Sequence, residues 1–471
     1  MSITPVILCG GIGSRLWPIS RKSKPKQFQA IIDDESLFIK TLKRFDLSSA
    51  NKPLILTGPD YKFIVSQQIK TAGVDCEQII LEPSPKNTAP AILTAAHYAV
   101  DQDPDAMLLI MPSDHFIPDL ESFAEVVKTG TSYAEKGHFV TFGIKPHRPE
   151  TGYGYIQVDP VQDDDGGHYV QSFTEKPDLA IAEQMLEDGV YLWNAGIFLF
   201  KASAIIKAGE VICPDLTAGT RQSLADATVD ENFLELGQEA WSSIEEISFD
   251  YAIMEKADQR ICVPYLDKWT DLGDWNAIWA EAPKDTDDNL LHGNAQSIES
   301  KNSVLWSASN DIPVVGVNLD NIVAVAMKDA VLVAHKDHIQ NVKDAVKCLS
   351  DLGYDQADQH NRVDPPWGSF EILHQSAAFQ IKKLFVMPGG KLSLQSHQFR
   401  SETWVVIEGK ATVQIEDEIF DLSKDQFIHI EQGQKHRLSN TTDSDLVVVE
   451  VQTGSYFGED DIIRYDDIYN R

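Results

Sequence analysis

Residues 3–28 read ITPVILCGGIGSRLWPISRKSKPKQF: an apolar run that meets three glycines and then a string of cationic residues. The run VILCG lacks the polar alternation of a half-exposed strand, which is the pattern of a strand buried on both faces of a sheet. It carries no basic head and no small-residue cleavage site, so it reads as a first strand and not as a secretory leader. Gly10, Gly11 and Gly13 let the backbone turn tightly and bring N–H groups onto an anion, while Arg15 and Lys26 supply the positive charge a triphosphate requires. Two familiar phosphate loops fail on spacing. A dinucleotide fingerprint needs a third small residue where Leu16 stands, and a Walker loop needs a Gly-Lys-Ser/Thr that is absent.

Beyond this opening, strand-like PLILTG, QIILEP, AMLLIMPSDH and HFVTFGI alternate with helix-like AILTAAHYAV and SFAEVVKTGTSYAEKG up to about Pro283. Such alternation predicts an α/β domain around a mostly parallel sheet over residues 1–284. Residues 285–349, with VVGVNLDNIVAVAMKDAVLVAHK, read as a small β-rich connector whose period is too irregular for a clean hexapeptide solenoid. The polar stretch 350–366 reads as a linker. Residues 367–471 are almost all strand-like, with turns at Pro388-Gly389-Gly390, Glu408-Gly409 and Gln432-Gly433, which predicts a β-barrel or sandwich.

The formal net charge of -32 over 471 residues argues against nucleic acid as a partner, so any phosphate ligand must be gripped by a local cluster of donors. No apolar run approaches the length of about 20 residues that spans a bilayer, so no membrane partner is expected and a cytoplasmic protein is. Cys9, Cys76, Cys213, Cys262 and Cys348 are scattered singly, against both a disulfide framework and a thiolate zinc site.

The opening pattern GG-x-G-x-RLWP-x-SR-x-x-x-PKQF resembles that of mannose-1-phosphate guanylyltransferases. The likeness extends through LEPSPKNTAPAI from Leu81, MPSDH from Met111, TGYGYI from Thr151, FTEKP from Phe173, WNAGIFLF from Trp193, FDYAIMEK from Phe249 and WTDLGDW from Trp269. It implies a Rossmann-like nucleotidyltransferase domain of GT-A type with a mixed sheet, a β-helix-like connector and a C-terminal cupin barrel of the mannose-6-phosphate isomerase kind. The implied reaction joins GTP and mannose 1-phosphate into GDP-mannose with release of pyrophosphate. Asp114 stands just beyond the carboxyl end of an apolar strand, where ligands bind in open α/β sheets; the resemblance makes Asp114 and Asp271 the magnesium ligands, with Asp274 a second choice. It also places Arg15 and Lys26 on the β- and γ-phosphates, Asn87 and Thr88 near guanine or ribose, Lys176 on the sugar phosphate, Glu175 and Asn194 on sugar hydroxyls, and Gly152 where the backbone approaches the sugar. Pro85-Lys86 departs from the family's usual Gly-Arg pair, and Ala195 from a common serine.

In the barrel, Gln395 and His397 are two apart and share one strand face, and Glu402 and His436 complete a set of amide, imidazoles and carboxylate that suits zinc or a similar divalent ion. The set resembles that of mannose-6-phosphate isomerases, with Arg400 as the candidate phosphate ligand. Relatives carry three successive histidines here; this chain has His397, Gln398 and Phe399. A second, isomerase activity and a transferase with an inert barrel both stay open at this level. So do a different nucleotide or sugar, a non-catalytic nucleotide-sugar sensor, and a homo-oligomer joined through the connector.

Overall fold

A computed structural model describes residues 2–44, 50–230 and 232–467. The strand Ile3–Cys9 lies between Leu54–Thr57 and Met107–Pro112, parallel to both, and Gln78–Leu81 extends the parallel side. Alternate residues feed two cores, one on each face. Ile7, Ile55, Leu109 and Met111 join one. Val6, Leu54, Leu56, Leu108 and Ile110 join the other. Burial on both faces is why these strands read as continuous apolar runs.

The mostly parallel expectation is corrected beyond that block. The long strand Tyr191–Lys201 runs antiparallel to Met107–Pro112, to Phe139–Ile144 and to the hairpin strand Gly154–Val158, so the eleven-stranded sheet is mixed. The hairpin pairs Gly154–Val158 with His168–Glu175; such a short connection can join only antiparallel strands.

The connector is β-helix-like. Leu290 pairs in parallel with Val304 and Val304 with Val323, so successive coils differ in length, which is why no fixed period shows in the sequence. By contact density the chain divides into residues 1–348 and 349–471. The 350–366 stretch, expected to be linker, is partly ordered: the helix Val342–Asp351 runs into it, and Arg362–Val363 pairs with the barrel strand Gly368–Gln375.

The second unit is a two-sheet barrel. Strands Phe379–Val386, Leu446–Gly454 and Arg400–Glu408 are neighbours in one sheet, and Lys410–Ile415, His436–Ser439 and Leu394–His397 in the other. Gly389, Gly409 and Gly433 all have positive φ at the three expected turns. Among the described residues no helix is long and apolar enough to cross a membrane.

Candidate active site

The cleft above the carboxyl ends of the parallel strands has a volume of about 570 Å³. Gly10 and Gly11 form part of its wall, and a Cβ on either would meet no atom within 4 Å, so the backbone there is open to a ligand. Gly11 has φ of 85°, a left-handed conformation that favours glycine. Gln27 secures the turn by donating from Nε2 to the carbonyls of Gly10 (3.2 Å) and Gly11 (3.3 Å).

Asp114 and Asp271 come from distant parts of the chain and both line the cleft. What joins them is a small antiparallel bridge: Phe116 N–H donates to the Thr270 carbonyl (2.8 Å) and Thr270 N–H to the Phe116 carbonyl (3.1 Å). Lys26 Nζ then sits 3.1 Å from Asp114 Oδ2 and donates to the Asp271 carbonyl at 2.5 Å. Burial would raise the Asp114 pKa, but Lys26 and His115 hold it below the usual carboxylate range. Burial pushes His115 down to about 4, so that imidazole is neutral at pH 7. Asp271 Oδ1 accepts from Tyr153 OH (2.7 Å) and Gly273 N–H (3.0 Å); burial, with Asp271 beside it, raises the Tyr153 phenol. Two carboxylates facing an open cleft beside a glycine loop are a donor set that suits a divalent cation completed by phosphate oxygens.

The expected residues divide. Asn87 and Thr88 border the cleft at the start of the helix Thr88–Gln102, where Asn87 Oδ1 accepts from Thr88 N–H (2.9 Å) and Thr88 Oγ1 from Phe249 N–H (2.8 Å). Glu175, Asn194 and Gly152 also line it. Gly13 does not: it turns onto Lys26 Cγ and Ser20 Oγ, each 3.0 Å from where its Cβ would be. Lys176 is likewise outside, its side chain 64% exposed and paired with Glu175 at 2.7 Å, because the turn before Pro177 carries it to solvent. Arg15 faces an adjoining chamber, donating from Nη1 to Gln340 of the connector (3.1 Å). Asp274 is the N-cap of the helix Trp275–Glu281, accepting from Asn276 N–H (2.8 Å) and Ala277 N–H (3.0 Å).

Three lining residues escaped the sequence reading. Glu82 follows the strand Gln78–Leu81 at the cleft wall with Oε1 enclosed and without a hydrogen bond, and burial pushes its pKa up to about 8. Asp250 accepts from Asn194 Nδ2 (2.7 Å), and burial, with Glu175 adding to it, raises its pKa to about 6. Gly154 lies so close to Glu175 that a Cβ would stand 2.5 Å from Oε2. Each belongs to a quoted motif, LEPSPKNTAPAI, FDYAIMEK or TGYGYI, so the segment signalled importance without singling out the residue.

In the barrel, His397, Glu402 and His436 converge, with ligand atoms within 4.8 Å of one another and all three side chains buried. His397 Nε2 is 3.0 Å and His436 Nε2 3.6 Å from Glu402. The Gln434 carbonyl lies 2.9 Å from His436 Nδ1, which sets that nitrogen as donor and leaves buried Nε2 with a free lone pair and no hydrogen bond. Burial would raise the Glu402 pKa, yet His397, His436 and Arg400 hold it far below the usual range. An orphaned imidazole nitrogen aimed at an ionised carboxylate fits a divalent ion. Gln395 stands directly across from His436 in the strand register. Arg400 is buried, donating to the Gly458 carbonyl (3.0 Å). Gln398 and Phe399 point outward, Phe399 being 49% exposed, so the two missing histidines leave this cluster intact.

Residues 4–288 match the nucleotidyl transferase family, 293–349 the MannoseP isomerase/GMP-like beta-helix domain, and 353–467 the mannose-6-phosphate isomerase C-terminal family. The alginate biosynthesis protein AlgA of Pseudomonas aeruginosa is 40% identical over 99% of this chain and 97% of its own length. A mannose-1-phosphate guanylyltransferase of Sinorhizobium fredii is 40% identical over 99% of this chain and 91% of its own. Among solved structures, a Thermus thermophilus mannose-1-phosphate geranyltransferase superposes with a TM-score of 0.65 at 28% identity, covering 74% of this chain and 100% of that one. Three consecutive domain matches and full-length identity place the chain in the mannose-1-phosphate guanylyltransferase family, in the form that carries a C-terminal mannose-6-phosphate isomerase domain.

Proposed function

We propose that the N-terminal domain transfers a guanylyl group from GTP to mannose 1-phosphate, yielding GDP-mannose and pyrophosphate. The observation that carries this reading is the meeting of Asp114 and Asp271 in one cleft with the open glycine loop and the enclosed carboxyl of Glu82. A phosphate oxygen of the sugar attacks the α-phosphorus in line, and the bond from that phosphorus to the bridging oxygen of the leaving pyrophosphate breaks. Positioning and charge neutralisation dominate such a step. Magnesium held by Asp114 and Asp271 would supply charge neutralisation at the α-phosphate. The Gly10–Gly11 amides receive the phosphates, and Lys26 keeps the two aspartate segments together. Glu175, Asn194 and Asp250 form the polar wall that orients the sugar, while Asn87 and Thr88 flank the nucleoside.

Glu82 supplies the choice of base. An ionised carboxylate accepts from both N1–H and the 2-amino group of guanine, which adenine, uracil and thymine cannot match. Glu82→Gln places a donor against a donor, so kcat/KM for GTP is expected to fall by about 10²-fold and the preference for GTP over ATP and UTP to shrink. Turnover on the three nucleotides checks both. Binding needs the ionised form of a carboxyl whose pKa burial pushes up to about 8. The KM for GTP therefore falls as pH rises from about 6.5 to 8.5, a slope that Glu82→Gln removes. An unchanged nucleotide preference in the variant would remove Glu82 from base recognition.

For the barrel we propose that Gln395, His397, Glu402 and His436 hold zinc or a similar divalent ion and that the domain interconverts mannose 6-phosphate and fructose 6-phosphate. The outward placement of Gln398 and Phe399 favours this over an inert barrel. Bound metal would polarise the substrate carbonyl during proton transfer between C1 and C2. Arg400 offers a buried cation for the phosphate. Glu450, raised by burial and by Glu402, is a carboxyl able to carry a proton; Gln452 and Trp404 hydrogen-bond to both acids. His436→Ala in the full chain is expected to cut bound metal, read by elemental analysis, at least tenfold and to abolish conversion of fructose 6-phosphate. Equal metal content in the two proteins would refute the ligand set.

Exposed Val315 and Val317 on one connector strand, and Val331 and Val333 on the edge strand of its other sheet, give the connector apolar surface suited to a second copy of the chain. Use of GTP and the free state of all five cysteines favour the cytoplasm.

A further inference from the structure

The segment WTDLGDW, residues 269–275, holds Asp271 in a turn that its backbone adopts at a cost. Leu272 is buried with φ of 44°, a left-handed conformation that a bulky residue rarely takes, and its N–H donates to Thr270 Oγ1 (3.1 Å). A Cβ on Gly273 would stand 2.7 Å from Asp271 Oδ2, so the turn has room for the carboxylate only because residue 273 is glycine. Gly273 N–H donates to Oδ1 (3.0 Å), the one hydrogen bond to the carboxylate that comes from within the turn.

The second comes from Tyr153, 118 positions away in the chain, whose hydroxyl donates to the same oxygen at 2.7 Å. Both donors therefore fall on Oδ1, and among the described residues Oδ2 accepts no hydrogen bond. The phenol is itself held in place. Its ring packs edge-on against Trp193, with centroids 5.2 Å apart, and against Trp269 at 5.4 Å, and Trp269 packs in turn on His115 at 5.1 Å. The Tyr153 carbonyl accepts from Lys176 N–H (3.2 Å), immediately after Glu175. Tyr153 thus ties the hairpin that carries Glu175 to the turn that carries Asp271.

We propose that Tyr153 is a positioning residue of the metal site: its hydroxyl occupies Oδ1 of Asp271 and leaves Oδ2 as the oxygen offered to a divalent cation. A donor fixed on one carboxylate oxygen stops the carboxyl from rotating and keeps the other oxygen in one place, which is how residues behind a metal ligand strengthen binding. The assignment rests on the guanylyltransferase reading and extends it to a side chain that acts through Asp271.

The test titrates the full-length protein with manganese alone and reads the free ion by electron paramagnetic resonance. Four chains are compared: native, Tyr153→Phe, Asp271→Asn and the double variant. Manganese held elsewhere, in the barrel included, is common to all four and cancels. Tyr153→Phe keeps the ring and its packing, and should raise the Kd of the site that Asp271→Asn removes about tenfold. The magnesium needed for half-maximal GDP-mannose formation should rise by a similar factor. In the Asp271→Asn background the same change should alter manganese binding by less than about twofold, whereas a general loosening of the fold would weaken binding there too. The comparison therefore holds even if phenylalanine lowers the melting temperature. Manganese held by Tyr153→Phe as tightly as by the native chain or more tightly, an equal loss in both backgrounds, or no site lost in Asp271→Asn overturns the proposal. A native protein that shows the expected manganese pattern and transfers no guanylyl group would instead defeat the guanylyltransferase reading.

Discussion

Asp271→Asn is expected to lower the rate of GDP-mannose formation by about 10³-fold while the melting temperature moves by no more than about 2 °C. The asparagine Oδ1 can still accept from Tyr153 OH and Gly273 N–H, the two bonds that hold the native side chain at 2.7 and 3.0 Å. What disappears is one negative charge at the point where a divalent cation would be held. The loss should fall on kcat, and more magnesium should be needed for half-maximal rate. Steady-state kinetics against magnesium concentration, with a thermal melt alongside, checks each part. Native activity in this variant would remove Asp271 from the metal site. Asp114→Asn is a less clean probe, because it also strips the buried Lys26 ammonium of its carboxylate at 3.1 Å.

Asp329→Ala is expected to destabilise residues 1–348 by about 3–5 kcal/mol, among the largest losses available to a single substitution. Arg21 is 1% exposed and meets Asp329 through both terminal nitrogens, at 2.5 and 2.8 Å. Removing the carboxylate takes away the counter-charge that both terminal nitrogens share, and the desolvation penalty of the buried guanidinium is then offset far less. Arg21 lies on the loop that carries Lys26, and Asp329 on the connector. The same variant should therefore also raise the KM for GTP. Urea unfolding followed by tryptophan fluorescence measures the first effect; a midpoint shift equivalent to less than about 1 kcal/mol would mean that the pair adds nothing net.

Much of this molecule can be read from its sequence wherever function sits in a contiguous segment. The glycine loop, the strand ending at Asp114 and the WTDLGDW segment each announce themselves by residue type and neighbours. Local sequence also marked the three barrel turns, since Gly389, Gly409 and Gly433 adopt the left-handed backbone those positions require. Side-chain direction was another matter. Lys176 sits next to a cleft residue but turns to solvent, and Arg15 leans to the connector because Gln340 offers an acceptor 325 positions away in the chain. Glu82 looks ordinary in LEPSPKNTAPAI; only its enclosed, unpartnered oxygen gives it a role. Sequence left open what Gln398 and Phe399 mean in place of histidines; in the fold both side chains are exposed and stand apart from the buried His397, Glu402 and His436. Coils of unequal length hid the connector's periodicity.

On the proposed reading, two distant aspartates and a glycine loop build one site for nucleotidyl transfer between GTP and mannose 1-phosphate. Phosphorus NMR of the purified full-length chain with both substrates and magnesium tests it most directly. Pyrophosphate and the diphosphate diester of GDP-mannose are expected to appear one for one as GTP is consumed, with no signal change when magnesium is removed by a chelator. GTP and mannose 1-phosphate left unchanged, or GTP hydrolysed without formation of the diester, would contradict it.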